Sequence, residues 1–134
     1  MPEPERSAAA REGYAYCLWR VVPDLARGEC LNAGLVLLCR RRSFLAARIH
    51  LDEAKLAALA PDLDPAPVRA HLEALALVAA GDPAGGAVAG QELSERFHWL
   101  AAPSSTVVQP GVVHTGLSPD PQAELDRLFA ALVA

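Results

Sequence analysis

Apolar and polar positions alternate most clearly over residues 14–22, YAYCLWRVV, a run that stops at Pro23. Aromatic and β-branched residues at a two-residue period predict a strand. Tyr14, Tyr16, Leu18 and Arg20 fall on one face, and Ala15, Cys17, Trp19 and Val21 on the other. After the loop PDLARGEC the pattern changes. LNAGLVLLC, residues 31–39, is almost continuously apolar, as expected of a central strand covered on both faces. Gly34 inside it predicts a bulge or a close backbone approach. The polar turn RRRS leads to a third strand, FLAARIH, and the short spacing favours an antiparallel meander.

The period then lengthens. Asp52 is placed to cap a short helix with Leu56, Leu59 and Ala60 on one side. Asp64-Pro65 joins an N-cap to a proline at the first helical position, and Val68, Leu72, Leu75 and Ala79 follow at helical spacing. AGDPAGGAVAG, with glycines at 81, 85, 86 and 90, reads as a flexible loop. Leu93, Phe97 and Leu100 at i, i+4 and i+7 predict a helix over 91–101. TVVQ and VVHT read as two short strands turning at Pro110-Gly111, which would set residues 106–109 against 112–115 as a hairpin. Asp120-Pro121 repeats the cap and proline, and Leu125, Leu128, Phe129 and Leu132 complete an amphipathic C-terminal helix.

These elements describe an α+β fold. A flexible segment, residues 1–12, precedes a single domain, residues 13–134. The domain is expected to be a mostly antiparallel sheet of about 3–5 strands packed with about 4 helices. Helices must cover at least one face of the sheet, because the second strand has no polar face.

Composition adjusts this picture in three ways. A chain of 134 residues that is 52% hydrophobic can bury a real core, and its many alanines suit helix packing. A formal net charge of −4 argues against a general nucleic-acid binder, and Arg40 to Arg42 read instead as a hairpin tip that blunts a sheet edge. Cys17, Cys30 and Cys39 are odd in number and form no CxxC, and Cys17 and Cys39 sit within apolar runs. They read as reduced, buried, small apolar residues of a cytoplasmic protein. The N-terminal MPEPERSAAAREG has no signal-peptide core. No apolar run approaches the roughly 20 residues of a bilayer span, so a soluble chain without a membrane partner is expected.

Candidate chemistry is sparse. The chain has no GxxxxGK[ST], GxGxxG or HExxH. Its histidines, His50, His71, His98 and His114, lack metal-ligand spacing, and no metal or cofactor is expected. Ser104 and Ser105 lack a GxSxG elbow; across the expected hairpin they would approach His114, but a turn role after Pro103 is the simpler assignment. Two polar sets lie beside apolar runs. The first is Arg20, Glu29 and Asn32, which form either the charged rim of a pocket or an Arg20–Glu29 ion pair with Asn32 satisfying turn amides. The ion pair is the preferred reading and expects Arg20 to sit against an acid. The second is Arg96, Trp99, Thr106, Gln109 and His114. These form either an aromatic-walled polar cleft or a tryptophan packed on the sheet with hydrogen bonds closing the terminal strands.

Two motifs carry a family resemblance. One runs Tyr14-x-Tyr16, Arg20, Pro23, Gly28-Glu29, Asn32 and GLVLL at 34–38. The other is RFxWLxAPxST at 96–106, Gln109, VHTG at 113–116 and Asp120-Pro121. Together they resemble the bacterial domain-of-unknown-function family 3037 from Tyr14 to Val133. Ser104 departs from that pattern, standing where a basic residue is expected, so no anion-binding role is carried to that position. The resemblance implies no established activity, substrate or cofactor. It does imply an association with neighbouring genes for kinases similar to the HipA class. The expectation is therefore an uncharacterised bacterial protein acting as a small non-enzymatic protein-interaction or accessory module, with another protein as partner and such a kinase as the candidate that the resemblance suggests. The alternatives are a small-ligand binder or enzyme with a pocket formed by the two motifs, and a nucleic-acid-associated protein.

Overall fold

The computed structural model describes residues 10–134; residues 1–9 of the expected N-terminal segment lie outside the described residues. Three long strands, β1 (Glu12–Val21), β2 (Leu31–Cys39) and β3 (Phe44–Ile49), form the expected antiparallel meander. The β2–β3 connection is a single 3-10 turn at Arg40–Arg42, closed by Ser43 in the left-handed region at φ 50°. Four helices follow, α1 (Glu53–Leu59), α2 (Pro65–Ala80), α3 (Leu93–Leu100) and α4 (Pro121–Leu132). Short strands β4 (Val108–Pro110) and β5 (His114–Ser118) lie between α3 and α4. The result is an α+β domain around a five-stranded antiparallel sheet.

The helix starts follow the sequence signals. Asp52, Asp64 and Asp120 each accept a hydrogen bond from a backbone N–H of the first turn, at Lys55, Ala66 and Ala123. Pro65 and Pro121 stand where a missing N–H costs nothing. The segment after α2, expected as a flexible loop, is instead two short 3-10 turns, Pro83–Gly85 and Ala87–Gly90. Asp82 accepts from the Ala84 N–H at 2.9 Å to start the first of them.

β4 and β5 overturn the expected hairpin. Both pair antiparallel with β1: β5 with its first half, from Glu12 opposite Ser118 to Tyr16 opposite His114, and β4 with its last residues, from Trp19 opposite Pro110 to Val21 opposite Val108. They are one interrupted edge strand in line, not two strands face to face. The register slips by one residue between them, where the Gly111 N–H donates to the Leu18 carbonyl at 2.7 Å. Proline and glycine at 110–111 make a bulge here, because the long β1 offers a template on both sides of it.

β2 also carries a bulge. The register with β1 passes from Trp19 opposite Gly34 to Arg20 opposite Asn32, leaving Ala33 without a partner. A Cβ on Gly34 would stand 2.8 Å from Trp19 Cε3, so this position satisfies both expectations for the glycine. Helices cover both faces of the sheet. α1, α2 and α3 bury Cys17, Trp19, Val21, Val36 and Leu38 against Leu56, Leu72 and Phe97. α4 buries Leu35 and Leu37 of the opposite face beneath Leu125, Leu128 and Phe129.

Candidate functional site

The two faces of β1 are covered unequally. Cys17, Trp19 and Val21, towards α1–α3, are each 0% exposed. Tyr14, Tyr16, Leu18 and Arg20, on the α4 side, are only half-buried. The cause is where α4 sits. It packs over β2 and β3, with Phe44 and Ala46 beneath it, Arg48 over the Phe129 ring at 4.2 Å, and Arg48 paired with Asp126 at 3.1 Å. α4 reaches back at two points. Tyr14 Oη donates to Glu124 Oε2 at 2.5 Å, and Asn32 Nδ2 donates to the Leu132 carbonyl of the last turn at 3.0 Å. Arg127 holds Glu124 from the other side, through Nε at 3.0 Å and Nη2 at 2.7 Å.

These contacts set the local electrostatics. The Arg127 hydrogen bond, helped by that of Tyr14, holds the Glu124 carboxyl below the usual range. Burial, with the Glu124 hydrogen bond, pushes the Tyr14 phenol up to about 12. Burial likewise pushes the Cys17 thiol up to about 12, so it is an unreactive packing group. Cys39 is also buried, while Cys30 is exposed; all three are free thiols.

Between α4 and the sheet edge runs an open strip in which the two sequence motifs interlock. Arg20 is the cross-strand neighbour of Asn32 on β2 and of Gln109 on β4, so the three side chains form one polar row across three strands. Gln109 is braced by Nε2 donating to the Thr106 carbonyl at 2.8 Å. The Arg20 guanidinium lies on Gly111: a Cβ there would stand 2.5 Å from Nη2 and 3.0 Å from Cζ. Further along, Tyr16 stacks on His114 at 5.3 Å between ring centroids, and Tyr14 crosses Gly116. Gly111, and Gly116 of the second motif, are the places where side chains of the first lie flat. Sequence reading singled out Arg20, Asn32, Gln109 and His114 but missed Tyr14, Tyr16, Gly111 and Gly116. Strand alternation did place both tyrosines on the Arg20 face, and the two motifs held Tyr14, Tyr16 and Gly116; those were the available signals.

The remaining candidates go elsewhere. Glu29 does not pair with Arg20. It pairs with Arg27 in the exposed loop, through two hydrogen bonds of 2.8 and 3.1 Å, because two residues' separation makes that contact local. Among the described residues the Arg20 side chain has no acidic partner and no hydrogen bond. Arg96 is a structural residue, 9% exposed. It donates to the carbonyls of Val78 and Ala79 at the end of α2, and to that of Gln91. Trp99 is not packed on the sheet: it is 48% exposed, and the buried tryptophan is Trp19, whose Nε1 donates to the Leu100 carbonyl at 3.3 Å. Trp99 and Thr106 border a cleft of about 260 Å³ on the α1–α3 side, with His71 and Ser104. Ser104 Oγ lies 2.8 Å from Thr106 Oγ1 and accepts the Thr106 N–H at 3.2 Å, the turn role expected after Pro103. His114 faces the opposite side of the sheet from this cleft, so Ser104 and His114 form no pair.

Among the described residues no cluster of three or more His, Cys, Asp or Glu is arranged to hold a metal ion, and no helix is long and apolar enough to cross a membrane. A family model described as a protein of unknown function (DUF3037) matches residues 16–133. No curated protein and no solved structure matches the chain.

Proposed function

From the premise that the chain belongs to the DUF3037 family, we propose that it is a non-enzymatic protein-interaction module that docks a partner along the β4–β5 edge. One observation carries this reading: the exposed apolar side chains concentrate there. Val107, Val112, Val113 and Leu117 are exposed along this one edge, with Val112 at 68% and Leu117 at 65%. Residues 104–118 include no Asp, Glu, Lys or Arg. Edge strands are commonly blunted by charge; here Pro110 and the Gly111 bulge interrupt the edge, and the segments beside them stay uncharged and apolar. An extended segment can add to such an edge through main-chain hydrogen bonds, with its side chains reaching the adjoining strip.

The partner is another protein, and a kinase similar to the HipA class, suggested by the family resemblance, is the first candidate. The unpaired thiols of Cys17, Cys30 and Cys39 support action in the bacterial cytoplasm. Affinity capture from the native host, compared between wild type and the double variant Val112→Lys/Leu117→Lys, tests the reading. Both positions are solvent-facing, so circular dichroism should show an unchanged fold while the captured partner is lost. A partner retained at full yield by the folded double variant, or no reproducible partner for wild type, overturns it.

A further inference from the structure

We propose that the Asn32–Arg20–Gln109 row is a carboxylate anchor, taking an acidic group carried beside an apolar side chain on an extended segment of the partner; this rests on the docking reading above. Arg20 is half-buried, and among the described residues none of its five N–H donors is given to an acid or a carbonyl. The guanidinium fills the space that a Cβ on Gly111 would take, 2.5 Å from Nη2, so the absence of a side chain there gives the fork its place. Its two polar neighbours do not neutralise it. The amide nitrogens of Asn32 and Gln109 are committed to the Leu132 and Thr106 carbonyls, which fixes both amide planes on either side of Arg20. The row therefore offers one held, positively charged fork and no competing anion.

The number of charges selects the ligand. One planar guanidinium matches the two oxygens of a carboxylate, whereas a phosphate dianion favours a second cation or a helix N-terminus. In this row Arg20 is the one cation. Towards the middle of β1 the strip continues with Leu18, Tyr16 and the stacked His114. That floor accepts an apolar or aromatic group next to the acid. The row reaches β4 through Gln109, so a long acidic side chain of a segment lying along the edge would extend over Gln109 to Arg20.

The test is a titration followed by amide and arginine Nε resonances, with three probes: N-acetyl-phenylalanine, N-acetyl-phenylalaninamide and phenyl phosphate. The acid is expected to bind weakly but saturably and shift the Arg20 Nε–H resonance; the amide should bind at least about tenfold more weakly. Arg20→Gln should abolish the difference between acid and amide. Gly111→Ala is the second variant. It keeps the charge, and its methyl group would occupy the place of the guanidinium, so it too should weaken the acid by about tenfold or more. Equal binding of acid and amide, acid binding unchanged in both variants, or phenyl phosphate binding more tightly than the acid each overturns the carboxylate assignment. In the capture experiment Arg20→Gln should reduce partner yield. Full yield from Arg20→Gln together with loss from Val112→Lys/Leu117→Lys overturns the anchor and leaves edge docking standing. Intact acid binding with full yield from the edge variant overturns edge docking instead.

Discussion

Arg20 and Arg96 are the same residue type in opposite settings. Arg96 satisfies the carbonyls that end α2 and that of Gln91, and it lies against Gly81, the left-handed cap of that helix at φ 72°. Removing it leaves buried carbonyls without donors and takes a cation from a helix C-terminus. Arg96→Met is therefore expected to cost about 2–3 kcal/mol. Arg20→Ala removes no hydrogen bond among the described residues and is expected to change stability by no more than about 0.5 kcal/mol. Denaturant unfolding of both variants checks this; a large loss at Arg20 would make it a structural residue and remove the motive for the anchor. The sequence could flag both arginines as unusual beside apolar runs but could not separate them. The acceptors of Arg96 on α2 are backbone carbonyls 17 and 18 residues away, and carbonyls leave no trace in residue type. Glu29, the acid expected to pair with Arg20, is held instead by a nearer cation, Arg27.

At the scale of elements, the strands β1–β3, the four helices and the aspartate caps of three of them were legible because each rests on a local pattern. The β4–β5 edge was not. Pro110-Gly111 fits a hairpin turn or a bulge equally well, and the choice depends on β1, whose ten residues are long enough to template both short strands. The β2 bulge was legible through Gly34, and its tolerance can be measured. A methyl group there would press on Trp19, which is fully buried, and stand 3.2 Å from Ile49 Cγ2. Trp19 cannot withdraw into solvent. Gly34→Ala is expected to destabilise by about 1–3 kcal/mol through overpacking. The reverse outcome, a stabilisation from reduced chain entropy, would show that the bulge has room the packing denies.

For the whole molecule, the decisive feature is that α4 covers β2 and β3 while the Tyr14–Glu124 hydrogen bond ties its first half to β1. That tie gives the fold a predictable acid response. The Glu124 carboxyl is held below its ordinary value of 4.5 in the folded state, first by Arg127 and then by Tyr14. A depressed folded value means that folding favours the ionised form. Its contribution is present above the unfolded value and is lost as pH falls through the lower, folded value. The Tyr14 phenol works at the other limit. Pushed up to about 12 from an ordinary 10, it contributes stability that is complete below pH 10 and lost as pH rises through about 12. Glu124→Gln isolates the acid limb, since the amide approximates the neutral carboxyl. The variant should be less stable than wild type near neutral pH, and denaturant midpoints of the two should converge as pH falls below 4.5 and through the lowered folded value. A gap that stays constant through that range would mean that Glu124 acts by packing alone. α4 would then be fixed by Leu125, Leu128 and Phe129 with no electrostatic clasp to β1.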